Sequence, residues 1–165
     1  MRALLVVHVA ISLVAIAAGL AEIAGWLRRK RRPAVTAVFF RLTLATSLTG
    51  FPLPAKQILP SHVFGFVSLI VLAFAYVGLY RKQLAGGWGS TYVVTAAIAQ
   101  YLNMFVLIFQ SFLKVPALRA LAPTQSEPPF AVAQAVLFVL FLVVTALGVR
   151  RMRSSRGARG LSAAA

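Results

Sequence analysis

Residues 3–32 read ALLVVHVAISLVAIAAGLAEIAGWLRRKRR: an apolar run broken by one histidine and one acid, closed by five consecutive basic residues. The run up to residue 27 exceeds the roughly 20 residues a helix needs to cross a hydrocarbon core. It is also too long for a cleavable signal segment, and a basic block follows it where a cleavage site would stand. It therefore reads as a permanent membrane helix. Four further apolar segments follow, at 34–51, 62–80, 90–115 and 130–149. The second is the shortest and holds Arg41. The expected fold is all-α: one polytopic membrane bundle of five transmembrane helices over residues 1–153, with a flexible basic tail at 154–165. Composition agrees, since 61% of the 165 residues are hydrophobic, 12% are charged and the mean hydropathy is +0.89. Soluble domains carry about twice that share of charge, and disordered chains lack the apolar residues.

The net charge of +15 is a topology signal. Basic connectors (Arg28, Arg29, Lys30, Arg31, Arg32; then Arg81, Lys82) alternate with Pro-rich ones (Pro52, Pro54, Pro60; then Pro116, Pro123, Pro128, Pro129). With the tail's Arg150, Arg151, Arg153, Arg156 and Arg159, twelve of the seventeen Lys and Arg fall on one side of a five-span bundle. Arg2, Lys56, Lys114 and Arg119 fall on the other. The positive-inside rule then puts the N-terminus outside and the C-terminus in the cytoplasm. The expected partners are the lipid bilayer and anionic headgroups touching the basic tail. Nucleic acid is not among them.

Several function classes fall away. Without cysteine there are no disulfides, thiolate metal sites or thiol nucleophiles, and without Asp no Ser-His-Asp triad. Glu22 and Glu127, the only acids, belong to opposite sides of the membrane and cannot form a paired-carboxylate site. Gly86-Gly87-Trp88-Gly89 follows no strand, so it is a connector and not a phosphate loop. Five spans do not divide into two inverted repeats.

Polar residues inside the spans carry the remaining information. His8, Ser12, Ala15, Gly19, Glu22 and Trp26 lie within roughly 80° of one another on the first helix. Tyr92, Gln100, Asn103, Gln110 and Lys114 form a similar stripe on the fourth. Both stripes should face other helices, as interhelical hydrogen bonds or as the lining of a wet cavity. Glu22 and Arg41 lie equally far from the middle of the first basic connector. An antiparallel hairpin sets them at one depth, where a structural ion pair would spare each the cost of an unpaired charge. A proton-relay role for Glu22 is the alternative.

His8 and His62 are the only histidines, and both belong to the outer side. His62 follows Pro60 and Ser61 at a helix start, where the helix dipole disfavours imidazolium and keeps a neutral ligand. The expected ligand site is an outer polar cavity lined by His8, Ser47, His62, Asn103 and Gln110, with the loop 122–130 and its Glu127 above it. That reading makes the chain a non-catalytic small-ligand binder, a transport component or an accessory subunit. The alternative is a redox protein holding haem b or quinone between His8 and His62. A metal with a third ligand such as Glu127 is a variant of it, and Lys56, Lys114 and Arg119 would pair with haem propionates.

His8, Thr49-Gly50-Phe51 and His62-x-x-Gly65 together resemble the pattern of small bacterial multi-spanning inner-membrane proteins of unassigned function. That resemblance implies a bacterial inner-membrane location and supplies no active residues. A weaker similarity is to compact four-helix membrane cytochromes that hold haem b between histidines. This chain departs from them in having only two histidines, too few for two haems.

Overall fold

The computed structural model describes residues 2–50 and 60–163, with side chains over 3–50 and 63–154, and every regular element among them is helical. These are α1 (Arg2–Leu27), α2 (Pro33–Gly50), α3 (Pro60–Tyr76, continued by a π turn, Val77–Arg81), α4 (Trp88–Lys114), α5 (Pro116–Leu121) and α6 (Pro128–Ala163). Four segments are long and apolar enough to cross a membrane: Ala3–Leu27, Val63–Arg81, Trp88–Lys114 and Pro128–Ser154. α2, with Arg41 and four threonines, is not among these four. The outward faces are apolar, with Val6 67%, Phe66 61% and Val132 60% exposed. Such surface suits lipid and would be a liability in water.

α4 is the central element, packed on α3, α6 and α1, while α2 bridges α1 and α3. Ala96, Ala97 and Ala99 on α4 are almost wholly buried. These small residues allow the neighbouring helices to come close, the usual route to tight packing where no hydrophobic drive separates helix from lipid. Aromatic rings pack between the helices. Tyr92 meets Trp26 edge-on at 5.9 Å and stacks with Phe40 at 6.4 Å.

α2 runs antiparallel beside α1 over its whole length. His8 bonds Thr49, Ser12 bonds Thr46, and Glu22 bonds Thr36, three rungs from one end to the other. The turn between them is a Schellman motif: Lys30 N–H donates to Gly25 O (2.9 Å) and Arg29 N–H to Trp26 O (3.2 Å). Gly25 is required there, because a Cβ would sit 2.7 Å from Lys30 O. Arg29 takes the left-handed position of that motif (φ 54°), where glycine is usual.

α6 continues as helix into the segment 154–163, where the sequence suggested a tail. Once a helix is nucleated each added residue gains a hydrogen bond, and Arg and Ala propagate it well. Two bonds anchor its start to the bundle, Arg29 Nη2 to Ser154 Oγ (3.0 Å) and Arg153 Nε to Ser90 Oγ (3.3 Å).

At the opposite end, Glu127 caps α6, its carbonyl accepting from Phe130 and Ala131 N–H ahead of the Pro128-Pro129 start. Its side chain accepts from Thr124 N–H (3.1 Å), Ser126 N–H (3.1 Å) and the Thr124 hydroxyl (2.9 Å). Desolvation opposes ionisation, but these bonds outweigh it and hold the carboxyl below its usual range. Glu127 is thus committed to its own turn.

Candidate functional site

The one acid inside the spans lies in a knot of neutral donors. Glu22, 4% exposed, accepts from Trp26 Nε1 (2.9 Å), from Thr36 Oγ1 (2.7 Å) and from the Tyr92 hydroxyl. α1, α2 and α4 therefore meet at a single carboxyl. Trp26 is its i+4 neighbour on α1, and both belong to the buried stripe.

The expected Glu22–Arg41 ion pair is absent among the described residues, and Arg41 is exposed. Matching depth is not enough to make a pair, because the helix face also has to match. Thr36 precedes Arg41 by five residues, about 140° round the helix, and it is Thr36 that faces α1. Phe39, Phe40, Thr43 and Ser47 share the buried side with Thr36, and Arg41 points away from it.

Of the polar residues expected to line an outer cavity, His8 and Asn103 each bond a threonine of α2. Thr49 Oγ1 donates to Ala45 O (2.7 Å), so the His8 Nδ1 contact at 2.9 Å has the imidazole N–H donating to Thr49. Ser12 Oγ donates to His8 O at 2.6 Å. Asn103 Nδ2 donates to Thr43 Oγ1 (3.2 Å), and Ser47 is buried. Gln110 Oε1 is buried without a hydrogen-bond partner. No hydrogen bond links His8, Ser47, Asn103 and Gln110 to one another among the described residues. The side chain of His62 lies outside the described side chains, and with it the shared His8–His62 ligation of haem or metal.

A cavity opens at the other end. It is an open cleft of about 520 Å³ lined by Gly25, Trp26, Arg29, Arg31, Gln83, Leu84, Ala85, Gly148, Arg151 and Met152. The connectors after α1 and α3 and the far half of α6 meet there, so all three basic clusters of the sequence converge on one end of the bundle. Three arginines and no acid are among the residues that line the cavity, and Arg29 also donates to Ser154 Oγ. Guanidinium is a donor-only fork shaped for phosphate or carboxylate oxygens. The volume falls in the range of small-ligand sites. Trp26 forms part of its wall, and its indole N–H is held by Glu22.

The backbone around this cavity is strained. Among the described residues, non-glycine left-handed conformations occur at Arg29 (φ 54°), Gln83 (47°), Leu84 (61°) and Gln125 (61°). The first three all line the cavity. Each costs on the order of 1 kcal/mol or more, and such residues gather at binding sites and switch regions. Leu84 is held in place by burial and by its N–H donating to Gly78 O (2.8 Å), past the π turn that ends α3. π turns themselves recur at functional sites. α6 can form the third wall because Gly148 and Gly89 leave room. A Cβ at 148 would meet Val93 Cγ1 at 2.9 Å, and one at 89 would meet Met152 Cγ at 3.0 Å.

Compared with known protein families, curated proteins and solved structures, the chain matches none.

Proposed function

We propose that this chain is a five-span protein of a bacterial inner membrane, basic end in the cytoplasm, that binds a phosphate-bearing anion between Arg29, Arg31 and Arg151 without reacting with it. The observation that carries this reading is a cavity with three arginines and no acid among its lining residues, and with left-handed backbone on two of its walls. Its lining offers no nucleophile or general base, so binding is the chemistry it supports. The polar cluster at the other end is a weaker site, because His8 and Asn103 are engaged with Thr49 and Thr43 and no hydrogen bond joins its members among the described residues. Support for five crossings comes from α2 keeping pace with α1 from end to end, and for the orientation from the gathering of basic clusters. Lys30→Cys should be labelled by an impermeant maleimide only from the cytoplasmic face, and Gln57→Cys only from outside. The reverse pattern would refute the orientation, and labelling of both from one side would refute the second crossing.

Binding is read through Trp26. In a Trp88→Phe background its emission should change saturably with inorganic phosphate in phosphatidylcholine nanodiscs, or on replacing part of that lipid with phosphatidylglycerol. The first outcome assigns a free phosphate compound and the second a lipid headgroup. In either case Arg31→Gln should weaken the half-saturation point about tenfold, the usual scale for one charge-assisted contact. No saturable change with either probe, or indifference to Arg31→Gln, would overturn the assignment.

A further inference from the structure

The exposed side of α2 is apolar except for one charge. Ala34, Val38, Arg41, Leu44 and Leu48 are exposed and share one face about 120° wide. Arg41 stands at its centre. Gly19 packs against Phe39 and Ile16 O accepts from Gln100, so Arg41 lies level with the middle of α1 and of α4. It is about 12 Å along the helix from Pro33, beyond the reach of one side chain to the basic end. A guanidinium at that depth is costly against hydrocarbon and calls for an acid.

This chain cannot supply one. Glu22 is buried and already accepts three hydrogen bonds, and Glu127 is engaged in its own turn at the other end of the bundle. A second copy would bring the same two acids in the same two places. The face also combines aliphatic residues on either side of Arg41, which is how a helix-packing stripe with one polar key is composed.

We propose that the Val38–Arg41–Leu44–Leu48 face of α2 is the docking surface for a transmembrane helix of a different protein, one that carries a single Asp or Glu near mid-membrane. The surface is separate from the basic-end cavity. It does depend on α2 lying at membrane depth, which the labelling of Gln57→Cys decides independently.

The test uses the full chain, donor-labelled in phosphatidylcholine vesicles, and synthetic Leu/Ala helices of about 20 residues, long enough to span the core, with one central Glu, Gln or Lys. Energy transfer should show the Glu helix associating about tenfold more tightly than the Gln helix. Arg41→Met should erase that preference, and Arg41→Glu should transfer it to the Lys helix. Equal association of the Glu and Gln helices would overturn the proposal, as would a Glu preference that survives Arg41→Met. Arg41-dependent energy transfer between copies of the chain itself, with no response to the Glu helix, would replace the foreign helix by a second copy and overturn it equally. Because Arg41 is exposed and unbonded among the described residues, Arg41→Met leaves the fold intact, and unchanged unfolding by detergent titration verifies this.

Discussion

Glu22→Ala lowers the unfolding free energy of the purified protein by about 3 kcal/mol, measured by titrating folded protein in mild detergent with a denaturing one. The size follows from counting orphans. The substitution strips the acceptor from Trp26 Nε1, Thr36 Oγ1 and the Tyr92 hydroxyl at once. Thr36 has a second acceptor in Arg32 O at 3.2 Å, but the indole and the phenol have none. Each buried donor left unpaired costs about 1–3 kcal/mol. Membrane hydrogen bonds are often worth less, because the alternative state finds other partners. Here the donors are enclosed by α1, α2 and α4, and Tyr92 is fully buried, so no substitute is at hand.

Glu22→Gln should cost less than about 1 kcal/mol. The amide oxygen can still receive Trp26 and Tyr92, both of which donate to Oε1. Its NH2 meets Thr36, whose hydroxyl then turns its own hydrogen to Arg32 O and accepts. Tyr92→Phe combined with Glu22→Ala should cost less than the two changes summed, since one orphan is removed with its acceptor. If Glu22→Ala unfolded within 1 kcal/mol of the wild type, or if Gln proved as damaging as Ala, the carboxyl would not be what joins the three helices.

The stripe on α1 was legible in the sequence because helical periodicity alone decides it. Ala15, Gly19, Glu22 and Trp26 are all buried on the face that the spacing predicts. The α4 stripe was legible to the same degree: Tyr92 and Gln100 are buried and Asn103 bonds α2. Which stripe meets which was not legible. α1 and α4 are far apart in the chain, and periodicity within one helix is silent about its partner. Glu22 was therefore given the only basic residue at its depth, although its actual partners are two hydroxyls and an indole. Thr36 was the missed signal, a polar residue on the same side of α2 as Phe39, Phe40 and Thr43.

The basic-end cavity was hidden for a different reason. Left-handed backbone is normally flagged by glycine or asparagine, and here it occurs at an arginine, a glutamine and a leucine. Nothing local announces those turns. They exist because α1 must reverse into α2, and because Leu84 is drawn into the core. The charge was read for topology alone, and residues of the first and last basic clusters are also brought around one space.

Gly19→Ala should be severely damaging, costing about 3 kcal/mol or abolishing folded yield. A Cβ at position 19 would lie 2.0 Å from Gln100 Oε1, 2.4 Å from Gln100 Cδ and 2.9 Å from Phe39 Cε2. The end of a flexible side chain often swings away from such a clash, but this amide has nowhere to go. Gln100 is 1% exposed, as is Phe39, and its Nε2 donates to Ile16 O at 2.9 Å. Moving the amide breaks that bond, while keeping it forces α1 away from α4. Gln100 Oε1 has no hydrogen-bond partner and occupies the space a side chain at 19 would take. Gln100→Ala alone opens a void and loses one bond, a cost of about 2 kcal/mol. Added to Gly19→Ala it removes the clash, so the double variant should be more stable than Gly19→Ala by itself, a coupling opposite in sign to simple accumulation. Gly87→Ala serves as the control, because a Cβ there meets nothing within 4 Å. A neutral Gly19→Ala, or a double variant that merely adds the two losses, would mean that α1 and α4 do not cross on the Gly19–Gln100 contact.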